Sequence, residues 1–167
     1  MLEDVLSVSL LLVRRQLPLM MRIASPWVIG FLVLGPIGCE RKDSDAVSSS
    51  ISGAVKRGDG ARVALVEHTS FAWDKVCIFG PYTPADHIEA VTLIPGTARE
   101  APGIESREDI DLLLFVRGGR ITASVAHPRV RGDFGPEVLG KCYSKERAVF
   151  AVRTPPAGSW GTIGPST

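Results

Sequence analysis

Seventeen consecutive residues, Ile23 to Cys39, carry no charged side chain, and this run limits what the chain can become more than any other feature. Met21 and Arg22 stand just before it, and Trp27 to Leu34 form its apolar centre. Gly35 and Pro36 break the run, and after Cys39 the chain turns polar at once, from Glu40 to Asp45. A short positive segment, an apolar stretch and a small-residue boundary are the parts of a secretory signal peptide. A core helix would not be followed by a polar stretch at a cysteine. At seventeen residues, interrupted by Gly and Pro, the run is at the short limit for a membrane span. Residues 1–38 are therefore expected to be an N-terminal extension plus signal peptide, with a single uncleaved N-terminal membrane anchor as the alternative. Leu6 to Val13 form an earlier apolar run closed by Arg14 and Arg15, which leaves Met20 or Met21 as a second candidate start.

The ending Ile37-Gly38-Cys39 resembles a lipoprotein signal, in which Gly-Cys marks the cleavage step and the cysteine takes the lipid. Pro36 departs from that pattern, because Leu is usual three residues before the cysteine. The resemblance implies lipidation at Cys39, a palmitate-bearing anchor and a place in the cell envelope, on the outer or inner membrane of a bacterium.

The remaining residues, 39–167, are enough for one core. From Glu40 onward, 16 Lys and Arg balance 16 Asp and Glu. A neutral domain without a basic run lacks the electrostatic footprint that nucleic acid requires, so no nucleic-acid partner is expected.

Residues 39–60 read as the anchor cysteine, a polar Ser-rich linker and a possible short helix, since Val47, Ile51 and Val55 share a helical face. Residues 61–153 read as the globular domain. Apolar strand patterns occur at Ala61–Glu67, Phe71–Phe79, Ile110–Val116, Ile121–Ala126 and Arg147–Val152. Gly118-Gly119 between two of them signals a hairpin, because both turn positions need positive φ. Thr83-Pro84 opens a short helix, with Thr83 as the expected N-cap. Residues 154–167 read as a Pro/Gly-rich tail. The expected fold is a small single α+β domain: a mostly antiparallel sheet of about five strands with one or two short helices.

The segment from Phe71 through Trp73-Asp74 and Phe79 to Pro81-Tyr82-Thr83 is the most distinctive. It resembles a group of small bacterial envelope proteins and lipoproteins marked by an aromatic residue, Trp-Asp, and a β-run ending in Pro-Tyr. The turn from Phe115 to Ile121 fits the same group, while Cys77 stands where an aromatic is more usual. The resemblance covers roughly half of the chain after Cys39. It implies a fold and a location and brings no activity with it.

Trp73, Asp74 and Tyr82 are candidates for the wall of a ligand groove at a strand end. The competing reading makes Trp73 a core anchor and Asp74 a partner of loop N–H groups or a base. His127, Arg129, Arg131 and Asp133 cluster on a loop after a strand, where an Arg pair could grip a carboxylate or phosphate. A turn in which Arg129 or Arg131 pairs with Asp133 accounts for the same residues. His68, His87 and His127 show no metal-ligand spacing, so no metal is expected, and neither a nucleophile elbow nor a phosphate loop is present. No cofactor and no catalytic residue is assigned. With Cys39 lipidated, Cys77 and Cys142 remain as a possible disulfide in an oxidising compartment, and a buried free thiol at Cys77 is the competing reading.

The functional expectation is a membrane-tethered, non-enzymatic envelope domain with a binding or structural role. Its partner would be an envelope protein or a small ligand. The alternatives are a small hydrolase- or transferase-like enzyme using Asp74, His127 and Asp133, and an inhibitor or immunity-type lipoprotein.

Overall fold

The structure is a computed structural model that describes residues 39–101, 103–153 and 161–166. The expected signal peptide, residues 1–38, and residues 154–160 of the expected tail lie outside the described residues. The fold is α+β, with two α-helices and two four-stranded sheets among the described residues. Eight strands replace the expected five.

Helix α1 runs from Cys39 to Arg57. Val47, Ile51 and Ala54 recur at helical spacing and have no exposed surface, so one face of the helix belongs to the core. Lys56 and Arg57 sit in its last turn, where the helix dipole favours cations. Gly58 ends it at a φ of 92°, with its N–H on the carbonyl of Ala54. The Ser-rich stretch, read as a linker or the start of a short helix, is helical, and Ser48 is buried with the core residues.

The first sheet has the order β4-β3-β2-β6, all antiparallel. Here β2 is Lys75–Phe79, β3 is Ile110–Arg117, β4 is Arg120–Pro128 and β6 is Lys141–Ser144. β3 is buried from Ile110 to Val116, because both faces of the sheet are covered and no polar face is left to alternate. Cys77, Phe79, Leu112 and Leu114 face helix α2 (Ala85–Thr92) through Ile88. Val76, Ile78, Leu113 and Phe115 face the opposite way, into a core shared with α1 and the second sheet.

The second sheet has the order β1-β7-β8-β5: β1 is Arg62–Ala64, β7 Val149–Arg153, β8 Thr162–Pro165 and β5 Asp133–Phe134. Among the described residues, only the short β5–β8 pair is parallel. β8 falls in the stretch read as a loose tail. Ile163 is 1% exposed and packs into the core, so the described part of that stretch, residues 161–166, is structural.

Gly118 and Gly119 join β3 to β4 at φ values of 54° and 75°, the positive pair expected of a two-residue hairpin. Thr83 does not cap α2. Its hydroxyl donates to the Gly80 carbonyl within the preceding turn, and Pro84 takes the N-cap position.

Candidate functional site

The residues singled out from sequence fall at opposite ends of the β4-β3-β2-β6 sheet. Trp73 and Asp74 stand at the hairpin end. Trp73 is 3% exposed, packs edge-on against Phe115 at 5.2 Å and donates its indole N–H to Thr69 Oγ1 at 2.8 Å. It is a core anchor. Asp74 lies on the surface, where Oδ2 accepts the Gly118 N–H at 2.8 Å. Its own N–H donates to the Val116 carbonyl. The carboxylate clamps the β3–β4 turn, which is why an aspartate is tolerated beside a strand.

Tyr82, His127, Arg129 and Asp133 gather at the other end. Six residues of β3 separate the two ends, about 20 Å at the usual strand rise. Asp74 therefore cannot converge with His127 and Asp133, and the three do not form one acid/base constellation. Trp73 and Asp74 likewise share no groove with Tyr82.

Tyr82 is exposed, adopts a left-handed φ of 59° and donates its hydroxyl to Glu108 Oε2 at 3.1 Å. Arg129 grips Asp133 with two parallel bonds, at 2.7 and 2.8 Å, and sends a third to the Glu108 carbonyl at 2.8 Å. A bidentate pair of this kind fixes the orientation of both groups. Arg129 is consequently committed to Asp133, and an Arg129–Arg131 clamp on a ligand is not formed. Arg131 lies on the surface. A cleft of about 340 Å³ beside this ion pair is lined by Glu108, Asp109, Pro128, Arg129 and Val130.

Beneath the ion pair lies a sealed polar cluster. His127 continues the inward face of Ala123 and Val125 along β4, and it has no exposed surface. Its Nε2 sits 2.9 Å from the Gly132 carbonyl, and its Nδ1 is 2.8 Å from Ser48 Oγ on α1. A carbonyl can only accept, so Nε2 carries the proton and Nδ1 accepts from the serine hydroxyl. Burial is the main cause that pushes His127 down to about 4, with Arg131 adding to it, so the ring is neutral.

Asp111 stands directly opposite His127 in the β3–β4 register and is also without exposed surface. Oδ2 accepts the Phe134 N–H at 3.0 Å, whereas Oδ1 receives no donor. Burial raises this carboxyl to about 7, the neighbouring Asp133 adds to the rise, and the Phe134 N–H and Arg129 oppose it. Two carboxyl groups held together are favoured when one keeps its proton.

This arrangement latches elements together. Ser48 ties α1 to β4, His127 ties β4 to the 129–132 turn, and Asp111 ties β3 to β5. A serine donating to a histidine is the first half of a nucleophile–base pair. Here both groups are covered, and the other ring nitrogen meets a carbonyl in place of an acid. Among the described residues, no group of three or more His, Cys, Asp or Glu side chains is placed to hold a metal ion.

Cys77 and Cys142 are joined by a disulfide that links β2 to β6 across 65 residues. The two cysteines are register partners, and Cys77 is wholly buried. Ser48, Glu108 and Asp111 were not singled out from sequence. The only signal for Asp111 is an acid inside an otherwise apolar strand, and none marks Ser48.

Compared with family models, curated proteins and solved structures, the chain matches none.

Proposed function

We propose that this chain is exported to the bacterial cell envelope, acylated at Cys39 and held on a membrane, where its α+β domain serves as a non-enzymatic binding module. The observation that carries the reading is the Cys77–Cys142 disulfide. Disulfides of this structural kind persist in oxidising compartments and are rare in the cytosol. Export by the N-terminal apolar segment and a core disulfide are two consequences of one location.

The absence of catalysis has its own support. The two groups whose proton affinities are driven furthest from ordinary values, Asp111 and His127, are both enclosed. A general acid or base must come within hydrogen-bond reach of its substrate. Among the described residues no helix is long and apolar enough to cross a membrane.

The test is expression in a bacterium supplied with radiolabelled palmitate, comparing wild type with Cys39→Ser. The expected result is label in the wild-type membrane fraction and none in the variant. An unlabelled wild-type chain, or label that survives Cys39→Ser, overturns the proposal.

A further inference from the structure

Strand β6 closes one edge of its sheet, and its register decides which of its backbone groups lie open. Lys145 N–H donates to the Asp74 carbonyl at 2.9 Å and Gly140 N–H to the Ile78 carbonyl at 2.8 Å, so residues 74 and 78 turn their carbonyls toward β6, as members of hydrogen-bonded pairs do. Along an antiparallel ladder such pairs alternate with non-hydrogen-bonded ones. In the β2–β6 register, Val76–Tyr143 is then a hydrogen-bonded pair, while Lys75–Ser144 and Cys77–Cys142 are not. The 4.0 Å between the cysteine Cα atoms fits the closer spacing of the non-hydrogen-bonded kind. The N–H and C=O of Cys142 and the N–H of Ser144 therefore point away from β2. The Ser144 carbonyl is already taken by the N–H groups of Arg147 and Ala148.

A groove follows this edge. One part, about 480 Å³, lies between Val91 of α2 and β6, and a second, about 370 Å³, continues to Pro165 of β8. The two parts share Tyr143 and Arg147. Lys141, Arg147 and Arg62 line the groove against a single acid, Glu146, whose carboxylate is engaged by Ser144 and by its own backbone N–H.

We propose that the open edge of β6 is a strand-addition site for an extended polypeptide segment carrying acidic side chains. Main-chain bonds to Cys142 and Ser144 would supply affinity, and the cations would select the sequence. Pairing of β6 with a second copy of itself is disfavoured, because it would bring the same cations of both copies onto one seam. The inference names a partner for the binding reading above and does not depend on acylation of Cys39.

The experiment uses the full chain in detergent micelles and follows amide exchange residue by residue. In the free protein the Cys142 and Ser144 amides are expected to exchange faster than that of Tyr143. The probe is a capped hexapeptide alternating Glu and Val, with a Lys/Val peptide as control. Protection of Cys142 and Ser144 by the acidic peptide alone supports the proposal. So does about tenfold weaker binding in Arg147→Glu and in Ser144→Pro. The proline removes an outward N–H and leaves the β2 ladder whole. Arg147→Glu keeps the test valid if the proline variant is unstable. Three outcomes overturn the proposal: a Cys142 amide already protected in the free monomer, no preference for the acidic peptide, or a dimer that Ser144→Pro dissolves. Loss of palmitate label with intact peptide binding would remove the anchor and leave this site standing.

Discussion

Asp111 and His127 face each other across the β3–β4 ladder, both fully buried, and burial drives their proton affinities toward each other's usual range. The folded carboxyl keeps its proton up to about 7 against an ordinary 3.8, so its contribution is lost as pH rises through that window. The folded imidazole refuses its proton down to about 4 against an ordinary 6.5, so its contribution is lost as pH falls through that window. From about 4 to 6.5 the two effects oppose, and stability should change little.

Asp111→Asn should expose this compensation. The amide can replace the protonated carboxyl, accepting from Phe134 N–H and donating toward Asp133. The variant is expected to be more stable than wild type at pH 8, on the order of 4 kcal/mol. That advantage should vanish as pH falls toward 4. Thermal melts across this range decide it, and a constant difference between the two proteins would count against the protonated carboxyl.

Asp74→Ala should cost about 0.5–1.5 kcal/mol, the loss of one hydrogen bond at an exposed turn. Because water can reach the freed Gly118 N–H, the larger penalty of a buried orphan does not arise. Asp74→Asn, which keeps an acceptor, should lose less. Melting of both variants is the check, and an alanine variant at or above wild type would refute the clamp.

Gly132→Ala should be the more damaging change. Gly132 has a φ of 142°, and a Cβ there would meet Val55 Cγ2 at 2.9 Å, Ile163 Cδ1 at 3.0 Å and Ile51 Cγ2 at 3.1 Å. Strained backbone and overpacking together should cost about 1–3 kcal/mol or more. The same shift would loosen the carbonyl that holds His127. Urea unfolding measures it, and a midpoint equal to that of wild type would contradict this account of the contact.

Breaking the disulfide frees a 65-residue loop. The chain-entropy model assigns about 4 kcal/mol to such a closure. Melting with and without reductant should differ by on the order of 10 °C for a domain of this size. Coincident melts would mean that the bond is not formed or not constraining.

Particular residues explain which features were legible beforehand. Gly118-Gly119 announced the hairpin because the turn demands positive φ from neighbouring residues, a local requirement. Trp73 was legible as a core anchor by its size. Cys77 and Cys142 were legible only as a possible pair, beside a buried free thiol at Cys77, because nothing local in the sequence marks them as register partners. β5, β6 and β8 were not legible, because strands of two to four residues exist only through partners distant in sequence. The sealed cluster was hidden for the same reason. Ser48 and His127 are 79 residues apart, and only tertiary packing turns an ordinary serine into the partner of a buried imidazole. Arg129, Arg131 and Asp133 were correctly seen as neighbours, and the fold spends that proximity on an internal ion pair.

The most direct test of the whole account is the intact mass of the chain recovered from bacterial membranes. The account predicts a species beginning at Cys39, heavier by its lipid and lighter by the two hydrogens of the Cys77–Cys142 disulfide. An unprocessed 167-residue chain with three free thiols would contradict it.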